Sequence, residues 1–452
     1  MSVLFYKNLG ASNSFIGQVG TVFYLPWTLK FLWSPLVDLR GTKRKWILVS
    51  QTVLGCIALL LIASVYLPSP IYTSVVIFMT MAFASATHDI AIDGYYMDVL
   101  EPHRQAFYVG IRGAAYKVAW LVGSGALVFL AGKIAETTSL GVQGGWAAAF
   151  AVSALLLLIC AAFHSVVLPS PQVAHPDAGR TAEAVDLAAE NQGEGAKSAG
   201  GSRSTVLQFW LVLKSWLDQR RIVPIIIYIL IFRCGDALML NMAQPFLVDP
   251  KQKGGLEIPT SDVGLIYGTV GMLFLLAGGI VGGVLVSRLG LKKCLMPTAL
   301  IQNGAIILYW LLAWQKPEGA AVIFNYNLSD ALHTWFPSVP HDWQWFGARY
   351  LATILCNSAE QFSYGLGNAA YTVFLLTTVK SDYKAAHYAI ASALMAFGVM
   401  VPGWVSGMIA DAFGYEKLFL ISFLAAIPGI ITIFWLPLDD DSTRGEQCNT
   451  ES

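Results

Sequence analysis

His88, Asp89 and Asp93 stand in an otherwise apolar run, ATHDIAIDGYYMDVL. Ionisable groups at membrane depth are costly, and they mark ion pairs, substrate contacts or proton relays. Asp89 and Asp93 are four residues apart and share one face of a helix. The next apolar run, through IRGAAYKVAW, carries Arg112 and Lys117. In a hairpin of two such helices, residues equidistant from the turn have equal depth. That rule matches Asp93 with Arg112 and Asp89 with Lys117. Such pairs are either purely structural or loosen when a carboxylate takes up a proton, with Asp89, Asp93 and His88 as coupling candidates. A second constellation, IFRCGDALMLNMAQPF, places Arg233 and Asp236 on one helix face, with Asn241 and Gln244 further on. Arginine suits a carboxylate or phosphate, so Arg233 either holds an anionic substrate or pairs internally with Asp236. Glu360 and Gln361 are the remaining polar pair at depth. Nearby Phe362, Tyr364 and Tyr371 offer stacking surfaces for sugar rings, or line a helix interface.

These groups need long helices to position them. The chain has 452 residues, 56% hydrophobic and only 12% charged, with a mean hydropathy of +0.59. A soluble domain carries about 25% charged residues. A spanning helix needs about 20 mostly apolar residues. About eleven candidates can be read: 16–37, 46–66, 71–99, 107–132, 146–168, 222–247, 261–286, 294–314, 347–379, 384–411 and 416–437. They divide into an N-terminal half (1–168) and a C-terminal half (222–438), with a tail at 439–452. The segment between them (169–221) is rich in Ala, Gly, Ser and Glu and reads as a flexible linker. It ends in a surface helix anchored by Trp210 and Trp216. Lys and Arg concentrate in 38–45, in the linker and in 287–293. The positive-inside rule makes that side cytoplasmic. Lys+Arg and Asp+Glu balance at 28 each, so no nucleic-acid partner is indicated. The cysteines are scattered singly, and there is no metal spacing, nucleophile–base pair or phosphate loop. No enzyme activity, metal or cofactor is therefore expected, and a monomer is.

The halves echo one another. Ser34 to Lys45 (SPLVDLRGTKRK) has a counterpart in Gly283 to Lys293 (GVLVSRLGLKK), and GWAAAF from Gly145 has one in GYEKLF from Gly414. Parallel repeats of this kind are a transporter signature. The loop pattern resembles the motif between the second and third helices of the major facilitator superfamily. That resemblance implies an all-α polytopic fold of two six-helix halves that rock around a central site. It makes Asp38, Arg40, Gly41, Lys43, Arg44 and Asp98, with Arg288, Gly290 and Lys292 in the second copy, a gating loop. Asp98 is also expected to pair with Arg40, Lys43 or Arg44. By the repeat, about one helix and its loop fewer precede Ser34 than precede Gly283. The opening residues MSVLFYKNLGASNS therefore read as the tail of a first helix whose body is missing.

Four stretches together resemble the AmpG muropeptide permease family of that superfamily, which is related to acetyl-coenzyme A transporters. They are LPWTLKFLWSPLVD (Leu25 to Asp38), HDIAIDGYYMDVL (His88 to Leu100), RCGDA (Arg233 to Ala237) and HYAIASALMAFG (His387 to Gly398). The resemblance implies proton-driven import of anhydro-muropeptides across a bacterial inner membrane, for peptidoglycan recycling. The partners would be a small-molecule substrate, protons and the lipid bilayer. Two rivals stand beside this reading: a carrier of another anionic conjugate, such as acetyl-coenzyme A or a sugar acid, and a non-transporting membrane sensor.

Overall fold

The computed structural model describes residues 1–39, 41–100, 102–169, 213–219, 221–316, 322–323, 326–327, 347–378 and 384–438. The described residues are almost wholly helical. In chain order the helices are α1 (Ser2–Asn8), α2 (Asn13–Leu29), α3 (Ser34–Leu39), α4 (Lys43–Ser64), α5 (Pro70–Val99), α6 (Pro102–Leu121), α7 (Leu127–Thr137) and α8 (Gly141–Val167) in the first half. The second half has α9 (Ile222–Ile231), α10 (Cys234–Val248), α11 (Thr260–Val263), α12 (Met272–Leu289), α13 (Leu291–Gly304), α14 (Ile306–Gln315), α15 (Ala348–Thr377) and α16 (Lys384–Thr432). The last is two helices meeting at Gly414, whose φ of 81° breaks the run. Each of the eleven apolar stretches read from the sequence falls on a helical segment. Eight described helices are long and apolar enough to cross a membrane.

Local chemistry explains the starts and breaks. Ser12 and Thr42 cap α2 and α4 by accepting the backbone N–H of Phe15 and Lys45, both at 3.2 Å. Each satisfies a donor that the first turn leaves open. Pro26 lies inside α2, which gives way to a 3-10 turn at Lys30–Leu32. Hydroxyls along the helices bond back to the preceding turn, as Thr80 does to Val76 O and Ser124 to Trp120 O. Such bonds leave no polar atom unmet toward lipid.

Two π-helical segments interrupt long helices and face each other across the halves: Val122–Ala126, between α6 and α7, and Gly264–Gly271, between α11 and α12. Gly268 there lies directly on the backbone of Ser124 and Gly125. On the other side of the molecule, Gly17 of α2 meets the backbone of Gly403, Trp404 and Gly407 in α16. Small residues let the two backbones approach.

The packing is wedge-shaped. One hydrophobic cluster runs through both halves, uniting Phe5, Trp146 and Phe150 with Phe246, Tyr309 and Phe419. All six lie near the end away from the basic loops. At the basic end there are instead two separate clusters. One is in the first half around Val37, Ile47 and Ala91. The other is in the second half around Tyr228, Phe232, Tyr371 and Phe374.

The internal repeat has a backbone counterpart. Gly41 and Gly290, matched in the repeat, both have positive φ, 78° and 82°, a conformation strained for any residue with a Cβ. In the second echo the aromatic pairs agree, since Trp146 and Phe150, like Tyr415 and Phe419, are buried. The glycines differ: Gly414 forms the bend, whereas Gly145 lies inside α8 against the backbone of Ala131 in α7. One linker expectation needs correction. Trp216 is not a surface anchor; it is 1% exposed and packs with Ile225, Tyr228 and Phe232. Residues 213–217 are docked rather than adrift, because Ser215 bonds His387 at 2.8 Å and Gln219 donates to Thr378 O at 2.9 Å. Trp210, residues 170–212 and the tail 439–452 lie outside the described residues.

Gly365 in α15 abuts the backbone of Leu275 and Gly279. Gly365→Val is expected to cost about 1–3 kcal/mol by overpacking, seen as a lower unfolding midpoint in detergent. Gly123→Ala, which meets nothing within 4 Å, should leave the midpoint unchanged.

Candidate functional site

Between the halves lies a cavity of about 510 Å3. From the first half Thr21 and Tyr24 of α2, Trp120 of α6 and Ser124 reach it. From the second come Arg233, Asn241, Gln244, Tyr267, Gln361, Tyr364 and Met395. Arg233 is the sole charged side chain among the described lining residues. It stands where α9 gives way to α10. Its guanidinium donates to the Tyr364 hydroxyl and lies 5.2 Å from the centre of that ring. Nη1 approaches the Met395 sulfur at 3.9 Å.

Among the described residues, Arg233 and Asp236 do not form a direct ion pair. Asp236, one turn on, is 1% exposed and accepts from the Gln302 amide of α13. No described carboxylate forms an ion pair with Arg233. A guanidinium in a cavity wall can offer an anion charge-assisted, fork-shaped hydrogen bonding. Asn241, Gln244 and Gln361 add amides, and Tyr24, Trp120, Tyr267 and Tyr364 add ring faces. Glu360, in contrast, does not line the cavity. It is 2% exposed, and Gln361 donates to it at 2.8 Å.

Asp89 and Asp93 lie toward the basic end in a half-exposed ion cluster. Arg112 pairs with Asp93 and stands 3.7 Å from Asp89. Lys30, on the 3-10 turn, pairs with Asp89 at 2.7 Å. The expected Asp89–Lys117 pair is not formed. Hairpin symmetry sets height but not azimuth, and Lys117, five residues beyond Arg112, points to another side of α6. There it lies over the rings of Trp120 and Tyr116, at 5.4 and 5.8 Å. His88 buries its Nε2 without a hydrogen-bond partner.

In the gating loop, Arg44 donates to Leu168 O and Ser165 O, at 2.9 and 2.5 Å, and so caps the end of α8. Arg288 lies in the last turn of α12, where its charge complements the negative end of the helix dipole. The stem of Lys43 packs on Gly94. Lys292 lies on the first turn of α13. Arg40 lies outside the described residues, as do the side chains of Asp38 and Asp98.

Sequence reasoning missed two groups. Lys30 went unassigned, although a lysine inside LPWTLKFLWSP is itself an intramembrane charge. The second is a latch at the end away from the basic loops. Lys7 of α1 pairs with Asp249 across the halves at 2.6 Å, with side chains 6% and 5% exposed. Tyr415 donates to Asp249 at 2.5 Å, and Lys7 also donates to Asn13 at 2.6 Å. Asp411 accepts from the backbone N–H of Asn13 and Ser14 and from the Ser14 hydroxyl, holding the start of α2 from the other half. Glu136 accepts from Ser261, and Asn8 donates to Thr260. The described hydrogen bonds between halves run from this end to Thr21 and Thr28 against Met400, part-way along α2. Among the described residues, these bonds join the halves at the latch end and part-way along α2.

A family model described as Major Facilitator Superfamily matches residues 1–339. The anhydromuropeptide permease of Escherichia coli K12 is 26% identical over 93% of this chain and 71% of its own length. A transporter of Rickettsia conorii named AmpG 4 is 22% identical, covering 91% of this chain and 86% of its own. Among solved structures, the nucleoside transporter NupG superposes with a TM-score of 0.60 at 14% identity, covering 96% of this chain and 92% of that one. A D-xylose–proton symporter does so with a TM-score of 0.61 at 14% identity, covering 94% and 88%. Both likenesses concern the fold.

The latch makes a sharp energetic prediction. Lys7→Met alone, or Asp249→Leu alone, strands a buried charge and should cost about 3–5 kcal/mol, with much of that recovered in the double variant. Unfolding midpoints in detergent would measure this. Equal, additive losses would show that the two charges do not act as a pair.

Proposed function

The chain belongs to the major facilitator superfamily, and on that premise we propose that it imports anhydro-muropeptides by coupling them to protons. It is a membrane transporter; the substrate and the coupling ion are the proposal. The observation that carries it is an arginine that forms no ion pair among the described residues, set among aromatic rings and amides in a cavity between two halves. A muropeptide presents a complementary set: sugar rings to stack, amide groups to hydrogen-bond and a peptide carboxylate for Arg233. The similarity to an anhydromuropeptide permease supports the same choice. With the basic end in the cytoplasm, the conformation described is the one that releases its load inward. Rocking the halves would part the Lys7–Asp249 latch and bring Lys30, Asp89, Asp93 and Arg112 toward the second half.

In that scheme Asp89 and Asp93 respond to protons. Each carboxylate is held by a cation, Lys30 or Arg112. Protonation releases the cation and frees the cluster to rearrange. His88 adjoins the cluster and, with its unpartnered Nε2, is available as a relay.

Labelled anhydro-muropeptide in proteoliposomes is expected to accumulate when an inward proton gradient is imposed. Loss of a charged hydrogen-bond partner costs about 1.5–3 kcal/mol, so Arg233→Gln should raise the half-saturating concentration about tenfold or more. If another anionic conjugate is carried and the muropeptide is not, the substrate assignment is wrong. Replacing both Asp89 and Asp93 by Asn should abolish the response to the gradient. A response that survives the double replacement removes them from the coupling step.

A further inference from the structure

We infer that Glu360 and Asp236 form a second proton-carrying site, placed behind Arg233 in the second half, and that an anion on Arg233 binds together with that proton. The inference deepens the proton-coupled reading and rests on it. Glu360 sits on α15, and its described hydrogen bond is the one it accepts from Gln361. Asp236, on α10, accepts from Gln302. No described cation forms an ion pair with either. A bare carboxylate so deeply buried, with one described amide donor and no described ion-pair partner, is expensive; the neutral acid is not. Asp89 and Asp93 are the contrast: each is more than a third exposed and is held by a cation.

The surroundings fit an acid rather than its anion. Gln302 gives its N–H to Asp236 yet keeps its own Oε1 without a partner. That Oε1 lies against Gly367 of α15, so Asp236 and Gln302 sit directly on the helix that carries Glu360. The titratable neighbours of Glu360 are Asp236 from α10, Tyr267 from the π-helical segment, Tyr309 from α14 and Cys356 from α15 itself. None is a cation. Gln361 both donates to Glu360 and lines the cavity, so a proton entering from the cavity has one amide to pass.

Arg233 supplies the linkage. It is the cation within electrostatic reach of Asp236 among the described residues, three positions away on the same chain segment. While Arg233 is bare, its field helps an ionised carboxylate to exist there. Once a substrate carboxylate neutralises it, that help is gone and the proton is retained. Substrate anion and proton then bind as a unit, and the loaded second half is close to neutral. The proton leaves for the basic side after the anion does.

Glu360→Gln mimics the permanently protonated acid. It is tested in proteoliposomes with labelled anhydro-muropeptide, in two assays: accumulation under an imposed gradient, and counterflow with no gradient. One pH unit can drive about tenfold accumulation for one proton. The expected result is wild-type counterflow with accumulation lost. Accumulation equal to wild type overturns the inference, as does loss of counterflow in a variant with an unchanged unfolding midpoint, which would make Glu360 a binding residue. If the wild type itself ignores the gradient, the proton-coupled reading falls and the inference with it. Infrared difference spectra of the wild type give a readout independent of that variant's folding. A protonated carboxyl band at neutral pH that moves in Glu360→Asp supports the inference, and the absence of any such band at neutral pH refutes it.

Discussion

A charge without a partner cannot be held cheaply inside a bilayer, and the ionisable groups of this chain are arranged around that cost. At the latch end, Lys7 and Asp249 neutralise one another across the halves in a nearly dry setting. Toward the basic end, two carboxylates and two cations share a wetter one. Between these ends, Arg233 lies in the cavity without a described carboxylate partner, and two carboxylates lie behind it without a described ion-pairing cation. The first two groups are complete as they stand. The third would be completed, on the proposal above, by an anion on the arginine and a proton on an acid.

The hydrocarbon packing complements this distribution. A cluster shared by both halves at one end, and separate clusters at the other, let each half move as a body while its own core stays intact. Two seams between the halves, Gly17 on Gly403 and Gly268 on Ser124, are made of small residues and backbone. There are few interlocking side chains to disengage there. The latch holds the closed end through polar contacts, which can be exchanged for water when that end opens.

Much of this was legible in the sequence, and the limits have physical causes. Helix positions followed from apolar run length, because in lipid a helix is the cheapest way to satisfy the backbone. The Asp93–Arg112 contact followed from hairpin depth. Asp89–Lys117 did not, because depth says nothing about which way a residue faces around its helix. Lys7 and Asp249 are far apart in the chain, and no local pattern joins them. Trp216 looked like a surface anchor because its neighbours are polar, but the face that buries it belongs to helices later in the sequence. Polar residues of α15 looked like one substrate-binding set. The structure divides them by helix face: Gln361 and Tyr364 line the cavity, while Glu360 is buried behind it.

Tyr364 bears on how a carrier with an unpaired arginine could return empty. A guanidinium stripped of its ligand and enclosed by protein would face the full cost of a buried charge. Here its N–H reaches the phenol oxygen, and its plane lies near the ring of the same residue. A hydrogen bond and a cation–π contact together are worth less than a carboxylate. That ordering is the useful one. On the proposed reading, the tyrosine would shelter the cation when the cavity is empty and yield it to an anion when one arrives.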